Sequence, residues 1–227
     1  MKIASIILAR GGSKGVPRKN IKELAGRPLI DYVIQASKAS NVHETWVSTE
    51  DAEIKSVAEG CGAFVIDRPA EFAQDSSPNE PAVNHWCEHV KCDVMVFLQL
   101  TTPLLRSTDI NRGLHVLSTG YGSVQSVYRQ PGNHQEWSVD EPHVPMSFSL
   151  LRADGSHTGR RQALQDTFVY NGAFIVTRQA DYLEAGYLQH GKVGIYEMPF
   201  SRSFQIDTLA DFRLVEKLIS YAYKSTG

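Results

Sequence analysis

Cysteine is scarce. Cys61, Cys87 and Cys92 are all there is in 227 residues, an odd count with no Cys-x-x-Cys, which leaves neither a disulfide framework nor a zinc knuckle. They read as buried or partly buried thiols in a reducing compartment, the cytoplasm. A basic surplus is missing as well. Lys and Arg number 23 against 25 Asp and Glu, a formal net charge of −2, whereas a dedicated nucleic-acid binder carries a strong positive excess. No apolar run approaches the roughly 18 residues needed to span a bilayer, so no membrane partner is expected. The opening MKIASIILARGG holds one Lys, a short apolar run and then Arg10, with no small-residue cleavage site. It reads as a buried strand and not as a signal peptide. The eight histidines show no metal-ligand spacing, and His134, His143 and His157 read as solvated polar residues. Internal repeats, low-complexity tracts and long linkers are lacking too.

What is present is average for a soluble globular chain: 42% hydrophobic and 21% charged residues. This length can bury a full core, and one domain over residues 1–227 is expected. Short apolar runs alternate with helical stretches. Ile3 to Ala9 is continuous and β-rich, as a strand buried on both faces would be. Pro28 to Ala39 carries Leu29, Ile30, Val33 and Ile34 at helical spacing. Strands are predicted at Thr45 to Ser48, Ala63 to Ile66, Val94 to Leu98, Gly122 to Val127, Gly172 to Val176 and Gly194 to Glu197. Helices are predicted at Asp51 to Glu59, Asn79 to Val90, Thr108 to Leu117 and Leu209 to about Tyr223, the last opened by Thr208 and Asp211 at capping-box spacing. This rhythm predicts an α/β architecture, a parallel sheet with helices on both faces. It fails between about residues 128 and 169, where Pro131, Pro142 and Pro145 fall. Irregular strands are expected there, as an insertion, a lid or a dimerisation arm, because the stretch is too long for a structureless loop.

The stretch Leu8 to Lys22, LARGGSKGVPRKNIK, carries the chemistry. Gly11, Gly12 and Gly15 permit close backbone approach, and Arg10, Lys14, Arg18, Lys19 and Lys22 supply cations. The first acidic residue is Glu23, so nothing nearby is expected to neutralise them. Backbone N–H donors and cations at the C-terminal edge of a strand are what a polyphosphate needs. The spacing is neither that of a P-loop nor Gly-x-Gly-x-x-Gly, which argues against a P-loop NTPase and a dinucleotide binder.

The LARGGSKGVPRKN block resembles the signature loop of the N-acylneuraminate cytidylyltransferases, the CMP-sugar synthetases, and their pseudaminic and legionaminic acid relatives. Arg68-Pro69-Ala70-Glu71 with Asp75, Gln99-Leu100-Thr101-Thr102-Pro103, Arg161-Gln162, Asn171-Gly172-Ala173 and Ile206-Asp207-Thr208 with Asp211 are similar to further blocks of that family, in the same order. The resemblance implies a Rossmann-like three-layer nucleotidyltransferase fold, mostly parallel, with a projecting dimerisation segment at about 128–169 and a homodimer. It implies that CTP is joined to the anomeric hydroxyl of a nine-carbon α-keto acid sugar, releasing pyrophosphate, with Mg²⁺. Arg10, Lys14 and Asp207 would be catalytic, Asp207 also holding the metal. Ala9, Gly11, Gly12, Ser13, Gly15, Asn20, Arg68, Ser77 and Asn79 would bind the nucleotide. Gln99, Thr101, Thr102, Arg161, Gln162, Asn171 and Gly172 would face the sugar.

Several positions depart from the family's pattern. Gln205 stands where many members have a second Asp, Leu100 where Pro is usual, and Val169 and Ile175 lack polar groups found in some relatives. These departures keep open another acceptor, an eight-carbon ulosonic acid or a phosphonate, and also a binding module without turnover. Plainer roles stand beside the functional ones: Asp207 as a turn residue, Arg68 as a solvated loop charge, Asn171-Gly172 as a turn, and Asp211 as a helix cap instead of a metal ligand.

Overall fold

The structure is a computed structural model that describes residues 1–13, 15–74, 77–130, 137–141, 147–150 and 166–224; residues 137–141, 147–150 and 222–224 are described in backbone only. Strands β1 (Ile3–Leu8), β4 (Glu44–Thr49), β5 (Phe64–Asp67), β6 (Val94–Leu98), β7 (Ser123–Gln130), β10 (Thr167–Arg178) and β11 (Val193–Glu197) form one seven-stranded sheet in the order β11-β7-β10-β6-β1-β4-β5. Neighbours pair in parallel except at β10, which runs antiparallel to both β6 and β7. The reversal follows from connectivity. The chain leaves β7 through residues 131–166 and comes back beside it, as antiparallel neighbours do. Two short hairpins accompany the sheet: β2 (Glu23–Leu24) with β3 (Arg27–Pro28), and β8 (Trp137–Glu141) with β9 (Ser147–Leu150). The second lies in the stretch where the sequence predicts irregular strands, and its register shifts between Val139 and Glu141.

Helices cover both faces. α1 (Leu29–Lys38), α2 (Ala52–Gly60), α4 (Ser107–Ser118) and α6 (Leu209–Lys224) pack on one side, where Ile7, Leu29, Ile30, Val33, Ile34, Ile54, Ile110 and Val215 share a core. α3 (Glu80–His89) and α5 (Gln179–Ala185) close the other around Ile6, Val83, Trp86, Met95, Phe97 and Tyr182. Ile6 and Ile7 point to opposite cores because side chains alternate along a strand. All five residues of β6 are buried, as its unbroken apolar run predicts. α5 went unseen in the sequence: it has seven residues and ends at Gly186, which has φ +79°. β10 is longer than the predicted strand by five residues at its start and two at its end, because Asn171-Gly172, a turn signal in the sequence, sits at a bulge inside the strand.

One polar cluster ties the far end of the sheet to its helix. The Asp109 side chain is 1% exposed. It accepts from the Arg106 backbone N–H at 3.0 Å, from the Tyr196 hydroxyl at 2.9 Å and from both terminal nitrogens of Arg202, Nη2 at 2.9 Å. α4, β11 and the Phe200–Arg202 turn therefore meet on a single carboxylate, and the hydrogen bond from Arg202 raises that guanidinium's pKa.

The three cysteines are unbridged. Burial pushes Cys61 and Cys87 up to about 11 and Cys92 up to about 12. Each unit above the ordinary thiol value near 8.5 cuts the thiolate fraction about tenfold at pH 8. Thiol titration of the native protein with a disulfide reagent at pH 8 is expected to run at least about 100-fold slower than after denaturation, when three thiols react. A fast-reacting native thiol contradicts this.

Candidate active site

β1 delivers the chain to the site. Just past its end, the Ala9 N–H bonds the Ser48 carbonyl at 3.0 Å, and the buried Asn20 donates from Nδ2 to the Arg10 carbonyl at 2.7 Å. The side chain of Asn20 therefore closes the loop on itself. Gly15 explains the glycine at that point. A methyl group there would lie 2.2 Å from the backbone oxygen of Asp207, so the loop touches the residues ahead of α6 backbone to backbone. Gly12, by contrast, faces open space.

The loop's cations divide. Acidic residues that follow β4 reach it in three dimensions, which corrects the expectation that nothing neutralises it. Glu50 Oε1 accepts from the Gly11 N–H at 2.6 Å. Arg18 donates to Asp51 at 2.5 and 3.0 Å and also to Glu53. The hydrogen bond from Arg18 holds the Asp51 carboxyl at about 2. Sequence distance hid this clamp, since 33 residues separate Arg18 from Asp51. Lys22 lies over the Phe212 ring, 5.7 Å from its centroid. Arg10 and Lys19 remain as walls of a cavity of about 380 Å³, whose other walls include Ser13, Gly15, Asn20, Asn79, Gln99, Thr101 and Asp207. Lys14, Arg161 and Gln162 lie outside the described residues.

The strand ends and the chain before α6 hold this cavity together. Thr102 Oγ1 donates to the Gln99 carbonyl at 2.8 Å, and the Ile206 N–H donates to the Thr101 carbonyl at 2.8 Å. Lys19 Nζ donates to the Ile206 carbonyl at 2.7 Å and stands 3.6 Å from the Asp207 carboxylate. That carboxylate is 68% exposed at the cavity wall. Asp211 is a cap, as expected. Its Oδ2 accepts from the Asp207 and Thr208 N–H groups at 3.2 and 2.8 Å, and the Thr208 hydroxyl holds its pKa low.

A second cavity of about 220 Å³ shares Leu8, Arg10 and Asn79 with the first and adds Arg68, Phe72, Gln74, Ser77, Pro78 and Ala82. Arg68 is no solvated loop charge. It is buried, and it donates from Nε to Ser48 Oγ at 3.1 Å and from Nη2 to the Ser48 carbonyl. Burial lowers its pKa; Glu50 opposes that shift and Arg10 adds to it. Ser77 Oγ donates to the Glu71 carbonyl at 3.0 Å.

Two expected sugar contacts are placed differently. Asn171 is buried, with Nδ2 bonded to Ser203 Oγ at 3.0 Å and Oδ1 to the Ala173 N–H at 3.2 Å, so its amide serves the core. Thr102 is buried beneath Gln99 and orients the turn. Gly172 contributes bare backbone beside Gln99 Oε1. Phe72 and Gln74, inside the Arg68 to Asp75 block but with no signal of their own in the sequence, also flank the second cavity. Lys19, one loop cation among five in the sequence, stands at the wall of the first.

The arrangement can receive a polyanion against Arg10 and Lys19 and a flat ring beside Arg68 and Phe72, with polar groups around the remaining space. Among the described residues no cluster of three His, Cys, Asp or Glu side chains could hold a metal ion unaided. Asp207 is the carboxylate on the wall.

A family model described as Cytidylyltransferase matches residues 4–225. The chain is 37% identical over 220 residues to N-acylneuraminate cytidylyltransferase A of Danio rerio, covering 96% of this chain and 50% of that protein. It is 31% identical over 218 residues to the N-acylneuraminate cytidylyltransferase of Escherichia coli O18:K1:H7, covering 94% and 51%. The chain thus spans about half the length of the curated relatives it matches. Among solved structures, CMP:2-keto-3-deoxy-manno-octonic acid synthetase complexed with CTP superposes with a TM-score of 0.74 at 16% identity, covering 98% of this chain and 100% of that one. The 2-C-methyl-D-erythritol 4-phosphate cytidylyltransferase of Thermus thermophilus gives 0.61 at 15%, covering 97% and 100%. At such identities the likeness is one of fold.

Proposed function

Because this chain belongs to the cytidylyltransferase family, we propose that it joins CTP to the anomeric hydroxyl of a nine-carbon α-keto acid sugar of the sialic acid type, giving a CMP-sugar and pyrophosphate. The observation that carries the reading is the pair of adjoining cavities at the ends of β1 and β6, with Arg10 on the wall of both. The smaller cavity suits the cytosine ring, with Arg68, Ser77 and Asn79 around it. The loop from Ala9 to Gly15, with Arg10 and Lys14, takes the triphosphate. The sugar occupies the remainder of the larger cavity near Gln99 and Thr101; Arg161 and Gln162, which the family resemblance assigns to the sugar, lie outside the described residues.

In the reaction the anomeric hydroxyl oxygen attacks the α-phosphorus in line and releases its proton to solvent, the bond from that phosphorus to the bridging oxygen breaks, and pyrophosphate leaves with the electron pair. Negative charge grows on the transferred group and on the leaving group, and in this reading Arg10, Lys14 and the loop backbone would stabilise it. Asp207 fits a divalent ion such as Mg²⁺, because such an ion needs only one or two protein carboxylates when phosphate oxygens and water supply its other ligands. When bound, the ion would neutralise phosphate charge and make the sugar hydroxyl more acidic. Lys19, 3.6 Å from Asp207, orients that carboxylate.

We further propose that the 128–169 segment pairs with that of a second copy, giving a homodimer, and that the enzyme works in the cytoplasm, where its thiols stay reduced. Among the described residues no helix is long and apolar enough to cross a membrane. The nine-carbon acceptor is preferred to an eight-carbon one because relatives at 31 and 37% identity carry the N-acylneuraminate name, whereas the octonic acid enzyme is 16% identical.

Pyrophosphate release tests the reading. With N-acylneuraminate as acceptor, CTP is expected to exceed ATP and GTP by at least about 100-fold in kcat/KM, since a slot that hydrogen-bonds one base leaves buried polar groups unpaired with another. A panel including pseudaminic, legionaminic and eight-carbon acids fixes the acceptor. Equal turnover with a purine nucleotide, or CTP binding without pyrophosphate release, contradicts the assignment.

A further inference from the structure

Gln99 is held more firmly than its place at the end of β6 requires. Its backbone N–H donates to the Ala173 carbonyl at 3.2 Å, and its carbonyl receives the Thr102 hydroxyl at 2.8 Å. The side chain is fixed too. Its Nε2 donates to the Tyr170 hydroxyl at 3.2 Å. Tyr170 is the last β10 residue in register with β7 before the bulge; pairing resumes at Ile175. On the other side of the Gln99 amide stands Gly172, with φ +70°. A methyl group there would lie 2.9 Å from Gln99 Oε1 and 2.6 Å from Gln205 Nε2. The bulge thus performs two tasks. It turns the Tyr170 hydroxyl onto one end of the amide and leaves room for the other end against bare backbone. Burial pushes the Tyr170 phenol up to about 12, so it stays a neutral partner at working pH.

We propose that Tyr170 is a positioning residue that sets the Gln99 amide on the wall of the larger cavity, and that the pair determines affinity for the acceptor sugar and not for the nucleotide. The inference rests on the cytidylyltransferase reading above. Two observations put the pair on the acceptor side. Gln99 lines the larger cavity and is no part of the smaller one, which holds Arg68, Phe72 and Ser77. The pair also lies on the side of β6 away from β1 and its cationic loop, since β10 and β1 flank β6. A long amide side chain that is already oriented loses less freedom when a sugar hydroxyl or amide binds to it, and this effect appears as affinity. Sequence offered no hint of the pairing, since 71 residues separate the two side chains.

Tyr170→Phe keeps the ring and removes the hydroxyl. It is expected to raise KM for the sugar acid about 5–10-fold, the effect of one hydrogen bond, with kcat and KM for CTP within about twofold of wild type. Gln99→Leu is expected to raise the sugar KM at least as much, and adding Tyr170→Phe to it should produce no further loss, because the two act as one unit. An unchanged sugar KM in Tyr170→Phe, equal shifts for both substrates, or additive losses in the double variant overturn the inference while the wild type still turns over. If the wild type releases no pyrophosphate from CTP with any α-keto acid sugar, the functional reading itself fails, and this inference with it.

Discussion

Arg10→Ala is expected to lower kcat/KM for CTP by about 10²–10³-fold, the loss found when one pre-aimed donor is removed from a site of developing charge. Arg10 is the cationic side chain on the walls of both cavities. It stands near enough to the buried Arg68 to help lower that residue's pKa. A polyanion settling against Arg10 offsets the positive charge that Arg68 feels from it, and the gain grows as phosphate charge develops. The loop should keep its shape without the side chain, since Asn20 holds it through the Arg10 carbonyl, which alanine retains. The melting temperature is therefore expected to stay within about 2 °C of wild type, under about 1 kcal/mol for a chain of this size. Lys14→Ala should cost kcat to a similar degree. Steady-state kinetics with pyrophosphate detection decide the matter, and near-wild-type turnover in both variants would remove the loop from catalysis.

The second large effect is on stability. Asp109→Ala is expected to destabilise the fold by about 3–5 kcal/mol, because it strands a buried partner of opposite charge. Four hydrogen bonds end on that carboxylate, from the Arg106 N–H, the Tyr196 hydroxyl and two nitrogens of Arg202. Arg202 is 17% exposed and cannot turn fully to water for compensation. At about 2–4 °C per kcal/mol, thermal unfolding should shift down by about 6–20 °C. Asp109 is not on the wall of either cavity, so KM for CTP measured well below the new transition should hold. A shift under about 2 °C would mean that the cluster relaxes around the loss.

Much of this was visible in the residues alone. Ile3 to Leu8 and Val94 to Leu98 read as buried strands because both faces of each are covered, and the spacing of Leu29, Ile30, Val33 and Ile34 marked the buried face of α1. The glycine and cation loop was legible because all its members lie within the thirteen residues from Arg10 to Lys22. The rest depended on contacts between distant positions. The grip of Asp51 and Glu53 on Arg18 and the core role of Asn171 are long-range hydrogen bonds with no local signal. β10 looked short because Asn-Gly usually ends a strand, and here tertiary pairing on both flanks carries the strand through it.

The bond from Lys19 to the carbonyl of Ile206 joins positions 187 residues apart. A ribosome adding roughly 5–20 residues per second leaves the loop after β1 waiting on the order of ten seconds or more for the segment that completes its wall. Catalytic competence should therefore emerge only once that segment has been made, and a nascent chain halted before it emerges would hold the sheet's first strands yet no working pocket.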